Sequence, residues 1–249
     1  RTSGLDLMGT LYFSDTALLD PAWLSHTGQV VWGGTPGAWT AGTMSVYGNI
    51  RLTNEGLRLT VSTNLTVSGA GAQLELGGNV SGWSAAEPVY ADGTRWPSTG
   101  GTGGPTLVVG GDLNVTNGGK LVIYAGATNA TTPNYGALVD VAGTIYLDMN
   151  SWICPNSSPT NGGSPLFRAC NVNVDNTNCG FDADARGFAG GNPVYGAGYG
   201  PGAGSGAGYG GVGVSGAAYG SADTPLDPGS GATAEVAYRG PSGGGLIRI

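Results

Sequence analysis

The chain has 249 residues, 50 of them glycine and 14 proline, so about a quarter of its positions carry the two residues that most disrupt helix and strand. Charged residues make up only 10%, against about 25% in an average globular chain, which excludes a coiled coil, a helical bundle with charged outer faces and a charge-driven disordered tail. The net charge is -7, and the cations Arg1, Arg51, Arg58, Arg95, Lys120, Arg168, Arg186, Arg239 and Arg248 stand singly, so no nucleic-acid partner is expected.

Glu, Lys and Gln are scarce while Thr, Val, Asn, Ser and Gly abound, which predicts an all-β chain. Residues 1–45 read as an N-terminal cap or assembly segment. Leu5, Leu7, Leu11 and Phe13 alternate as a strand would, residues 15–20 suit one helical turn, and Trp23, Trp32 and Trp39 follow closely. The single histidine, His26, has no evident Ser or Cys partner and is given a surface or capping role. No apolar run reaches the roughly 18 to 20 residues of a membrane span.

Residues 46–186 carry a recurring motif: a short alternating strand, a corner of Thr, Asn, Ser and Gly, and a second short alternating strand. It occurs at 49–59, 64–76 and 112–123 and, degenerately, at 138–147 and 171–181. Strands this short cannot stand alone, and stacking them buries one face of each. The expected architecture is therefore a parallel β-helix, or solenoid. One inward wall is formed by Ile50, Leu52, Leu65, Val67, Leu113, Val115, Val139 and Val141, and a second by Leu57, Leu59, Leu74, Leu76, Leu121, Ile123, Ile145 and Leu147. The alternative is an antiparallel sandwich or jelly roll, which also has short strands with turn signals between them. Residues 77–105, with Trp83, Trp96 and a glycine run at 100–104, read as a long loop.

Residues 187–245 form a glycine-rich segment with a ten-residue repeat that sets Tyr199, Tyr209 and Tyr219 in one phase as packing anchors. Glycine at every even position from 196 to 210 resembles a silk-like sheet; the other option is a set of polyproline II segments packed through glycine, against which the period of two argues. Residues 246–249 read as a terminal strand open to a neighbour. Leu246, Ile247 and Ile249 would then meet Leu5, Leu7, Leu11 and Phe13 of a second copy in a head-to-tail homopolymer; the alternative is a segment of a longer solenoid.

The three cysteines, Cys154, Cys170 and Cys179, fall close together among polar residues and predict one disulfide of undetermined pairing. Asn64, Asn79, Asn114, Asn129 and Asn156 open Asn-x-Ser/Thr triplets, candidate glycosylation sites on a secreted protein. Asp175, Asp182 and Asp184 offer three carboxylates to calcium, the one cofactor considered, and otherwise make a polar turn. No catalytic residue is assigned and the chain is not expected to be an enzyme. A flat Thr and Asn ladder for ice or glycan, using Thr60, Thr66 and Thr116, is a further reading.

The runs Gly-Asp-Leu-Asn-Val-Thr-Asn-Gly-Gly-Lys-Leu at 111–121, Ala-Tyr-Gly-Ser-Ala-Asp-Thr-Pro-Leu-Asp-Pro-Gly-Ser-Gly at 218–231 and Gly-Gly-Gly-Leu-Ile-Arg-Ile at 243–249 together resemble very large bacterial surface proteins. Those are right-handed parallel β-helix, adhesin-like proteins with glycine-rich insertions. The resemblance implies an extracellular or cell-surface, adhesive or structural and non-enzymatic role, often as one segment of a longer polypeptide; joined to the open terminal strand, it leads to the expectation of a self-assembling subunit of a surface filament or layer. An adhesin-type, glycan-binding segment is its alternative and a polysaccharide-degrading β-helix enzyme a third reading.

Overall fold

Short alternating runs in the sequence become short strands. The computed structural model describes residues 10–25, 27–32, 37–53, 56–77, 104–129, 132–191, 196–202, 208–209, 217–221, 223–234 and 238–249. Leu5, Leu7, His26, Asn79 and most of the loop expected at 77–105 lie outside them. The strands are β1 Thr10–Phe13, β2 Gly28–Trp32, β3 Ala38–Ala41, β4 Met44–Val46, β5 Asn49–Leu52, β6 Arg58–Val61, β7 Leu65–Ser68, β8 Gln73–Leu76, β9 Thr106–Val109, β10 Leu113–Thr116, β11 Lys120–Tyr124, β12 Ala137–Leu147, β13 Trp152–Asn156, β14 Pro165–Val174 and β15 Gly180–Phe181. Among the described residues the one helical element is the 3-10 turn Thr16–Leu18, and no helix is long and apolar enough to cross a membrane.

The pairings between these strands are parallel, which overturns the antiparallel sandwich or jelly roll. The first sheet runs β1-β2-β5-β8-β11-β13-β15; the second runs β3-β6-β9-β12-β10-β7-β4, with β14 also pairing β12, and neither closes on itself. The second sheet is two strips joined. The first half of β12 pairs β9 and its second half pairs β10, with a register shift between Val141 and Thr144.

Apolar rows cross the strands at right angles. Ile50, Leu74, Leu121 and Ile153 stand in register in the first sheet. Leu59, Leu107, Val139 and Phe167 do so in one strip of the second sheet, and Leu65, Leu113 and Ile145 in the other. All belong to one buried core. Every residue expected to point inward is buried, but they sort into three walls rather than two, because each pass of the chain lays down three short strands.

Corners are held by polar side chains. The Asn64 Oδ1 accepts from the Asp112 backbone N–H at 2.8 Å, and the Asp112 Oδ1 accepts from that of Thr144 at 2.8 Å. Asn117, Asn150 and Asn178 sit at φ 55°, 61° and 61°, the left-handed region that asparagine tolerates better than other side chains. At the N-terminal end, Asp15 accepts from the Ala17 N–H and starts the 3-10 turn. Leu24 then donates from its N–H to the Ser45 carbonyl at 2.9 Å, beside β4, and Leu19 and Leu24 enter the core.

The described residues beyond β15 form no regular strand. They are joined through backbone bonds whose donors recur every third residue. Phe188 and Gly191 donate to Gly229 and Ala232; Gly231 and Ala234 donate to Tyr199 and Gly196; Gly240 and Gly243 donate to Gly191 and Phe188, all at 2.9–3.0 Å. Donors at i and i+3 facing one neighbour mean three residues per turn, the repeat of polyproline II, whereas a strand repeats every two. The polyproline II option thus fits these bonded segments better than the silk-like one, while 203–207 and 210 of the run at 196–210 lie outside the described residues. Glycine is required where they touch: a Cβ on Gly190 would stand 1.8 Å from the Gly240 oxygen, and one on Gly243 would stand 1.9 Å from that of Gly229.

Two further expectations change here. Tyr209 and Tyr219 pack edge to face with centroids 5.0 Å apart, and the Tyr219 hydroxyl donates to the Pro228 carbonyl, but the Tyr199 side chain is exposed and docks only through its backbone. Residues 246–249 are not a strand. Their irregular backbone folds onto β14, where the Arg248 carbonyl accepts from the Phe167 N–H at 2.9 Å; Leu246 is buried, while Ile247 and Ile249 are exposed.

Candidate functional site on the outer faces of the sheets

Alternation that sends Ile50, Leu52, Leu74 and Leu76 inward sends Arg51 and Glu75 outward, level with each other on β5 and β8. Both are nevertheless buried, Glu75 at 0% exposure. The Arg51 Nε donates to Glu75 Oε2 at 2.6 Å and its Nη2 lies 2.5 Å from the same oxygen. Gln73 Nε2 donates to Oε1 at 2.5 Å, and the Tyr124 hydroxyl donates to Oε2 at 3.3 Å. Burial works against the Arg51 charge, but the Glu75 carboxylate outweighs it and holds the guanidinium above its ordinary pKa. Burial, and then the Glu75 charge, push the Tyr124 hydroxyl well above its ordinary value. A carboxylate enclosed by three donors is arranged to fasten strands together. Arg51 and Glu75 were not singled out from the sequence, although they occupy matching places in Asn-Ile-Arg-Leu and Gln-Leu-Glu-Leu.

Further along the same face, Val122, Tyr124 and Cys154 make a small apolar cluster with Trp152 packed against it. Asn156 beside it is fully buried; its Nδ2 donates to the Cys154 carbonyl at 3.4 Å, and its Oδ1 accepts from Arg186 Nη1 at 2.9 Å. A glycan has no access to Asn156 in this fold, which corrects that site. Asn64 is exposed, Asn114 is half-buried on β10, and Asn129 accepts from the Tyr135 N–H at 3.0 Å.

The calcium cluster does not assemble. Asp175 follows β14 in the second sheet and accepts from the Tyr146 hydroxyl at 3.0 Å. Asp182 follows β15 in the first sheet and pairs with Arg186 at 2.7 Å, while Asp184 is exposed. Among the described residues no three His, Cys, Asp or Glu side chains converge. Separation onto two sheets is the physical reason. The expected disulfide is absent for a similar one: Cys154 is buried outside the first sheet, Cys170 lies in β14 with its thiol donating to the Ala142 carbonyl at 3.0 Å, and Cys179 lies in the next turn, so no disulfide joins any two of them.

The second strip of the second sheet presents a different outer face. Ser45, Thr66, Asn114, Tyr146 and Asn173 stand level on β4, β7, β10, β12 and β14. The parallel bridge of Leu24 to Val46 sets Trp23 level with Ser45, extending the row by one place. In the adjacent row the Thr116 hydroxyl donates to Ser68 Oγ at 3.1 Å. Thr66 and Thr116 therefore share this face in neighbouring rows, while Thr60 belongs to the other strip, level with Thr40 and Val108. No family model, curated protein or solved structure matches the chain.

Proposed function

We propose that the chain is a parallel β-helix that serves as a structural segment of an extracellular filament or surface layer. The observation that carries this reading is the pairing order: each new strand lies parallel on one laid down a pass earlier, in three strips around one core. Such a molecule lengthens along one axis by about 4.8 Å per pass, which suits a rigid spacer. Candidate sequons at the exposed Asn64 and on β10 at Asn114 accord with an extracellular setting.

The joining surface in this reading is the free side of β1. Among the described residues it pairs only β2, and Leu11 and Tyr12 are 44% and 68% exposed there; an unpaired strand edge is a template for another chain. With residues 246–249 folded back onto β14, the reading no longer uses them as the donor strand. Light scattering after gel filtration, with negative-stain microscopy, tests it. Concentration-dependent assemblies that Tyr12→Lys abolishes are expected, and a chain that remains monomeric at every concentration sinks the assembly role.

A further inference from the structure

Across the lateral face of the second sheet, Trp23, Ser45, Thr66, Asn114, Tyr146 and Asn173 form one row, one residue per strand or bridge. We propose that this row binds an extended, neutral, β-linked polysaccharide lying perpendicular to the strands.

The first argument is spacing. Parallel strands about 4.8 Å apart place Trp23 and Tyr146, four places apart in the row, about 19 Å from each other. An extended β-linked glycan advances by a similar step with each sugar, so successive sugars meet successive side chains without bending either partner.

The second argument is chemistry. Trp23 is 62% exposed and stacked with Tyr47 at a centroid distance of 4.3 Å, a widened aromatic platform at one end of the row. Tyr146 supplies a ring near the other end, fixed by its hydroxyl bond to Asp175 at 3.0 Å. Aromatic rings held at fixed positions offer large contact area at low entropic cost and suit the C–H faces of sugar rings. Between them Ser45, Thr66 and Asn114 carry uncharged donors and acceptors that make no side-chain hydrogen bond among the described residues and are half-buried at the surface. A hydroxyl offers one donor and two acceptors and an amide offers both kinds, the complement of a sugar hydroxyl.

The third argument is charge. The row itself carries none, and carboxylates flank both its ends: Asp175 and Asp148 at the Tyr146 end, where Asp148 already accepts from Asn176 Nδ2 at 3.1 Å, and Asp20 at the Trp23 end, where it accepts from the Ala22 N–H at 2.9 Å. That disfavours an acidic polysaccharide and leaves a neutral one.

This inference goes beyond the structural role and stands whether or not copies join, because the row crosses the outer face of the second sheet, whereas β1 is an end strand of the first. The test is co-sedimentation of the whole chain with cellulose, chitin and β-1,3-glucan particles, with heparin beads as the charged control. Retention on at least one neutral glycan is expected, with binding reduced at least tenfold by Trp23→Ala and by Tyr146→Phe/Asn114→Lys, and unchanged by Tyr12→Lys. Circular dichroism confirms that each variant is folded, and a variant that does not fold is replaced by Thr66→Lys, which places its charge on the same row. No retention on any neutral glycan, retention on heparin alone, equal binding by the row variants, or thermal hysteresis in ice without glycan binding each overturns the proposal. Failure of assembly with intact glycan binding counts only against the joining role.

Discussion

The parallel-strand region and the glycine-rich region solve the same problem by opposite means. In the first, side chains do the holding: rows of Leu, Ile and Val fill one core, and the backbone bonds follow from stacking. In the second, the absence of side chains does it, since segments approach so closely that backbone donors reach three neighbours around one axis. Ordering each residue costs roughly 1 to 2 kcal/mol of backbone entropy, offset in one region by a continuous apolar core and in the other by backbone hydrogen bonds together with a few buried side chains such as Phe188 and Leu246. Stability is thus written in large residues on one side of β15 and in glycine on the other.

The largest expected effect breaks the first region alone. Glu75→Ala leaves the Arg51 guanidinium buried without its carboxylate and should destabilise the strand region by about 3–5 kcal/mol in urea unfolding. Replacing both at once, with Arg51→Met and Glu75→Leu, should recover most of that. Leu113→Ala, at the centre of the core, should cost about 2–5 kcal/mol, with hydrogen-exchange protection lost around β7 to β12 and kept at 187–191. Gly243→Ala sharpens the contrast from the other side: a methyl group against the Gly229 carbonyl should cost about 1–3 kcal/mol and open the glycine-rich segments to protease while β5 to β11 stay protected.

The smallest effect depends on pH. Burial alone would raise the Asp182 pKa, but the hydrogen bond and charge of Arg186 outweigh it and hold the carboxyl below its ordinary value. Its contribution is therefore present above the unfolded pKa of about 4 and is lost as pH falls through the lowered folded value. A partly exposed pair of this kind is worth about 0.2–1 kcal/mol. A modest loss of stability on acidification, absent in Asp182→Asn, is the outcome to look for by thermal melting at a series of pH values.

Much of the strand region was legible in advance. Alternation identified the inward residues one by one, from Ile50 to Leu147, because a side chain at every second position faces one way whatever the sheet's partners are. The number of walls was not legible. Every corner uses the same small and polar residues, so a unit of two strands fits the sequence as well as one of three. The motifs at 49–59 and 138–147 consequently begin on different strips from those at 64–76 and 112–123. In the glycine-rich region the period of two across 196–210 drew attention from the spacing of three in Gly187 and Gly190 and in Gly240 and Gly243, which is the one the hydrogen bonds use. Outer-face chemistry was hidden for another reason: a lone Arg between apolar neighbours reads as solvent-facing, and only the fold reveals that Arg51 meets Glu75 under cover. The row from Trp23 to Asn173 required the register itself, since its members are scattered through 150 residues of sequence.

Register also separates distance along the gene from distance in space. Ile50, Leu74, Leu121 and Ile153 are consecutive neighbours in one row, yet the sequence intervals between them differ widely, the largest falling between Leu74 and Leu121. Residues added at a corner leave the rungs where they were. Insertions and deletions there should therefore be nearly silent for the framework, so that the chain can acquire or shed loops through evolution, and accept grafted peptides in the laboratory, while the pitch of its outer row stays fixed.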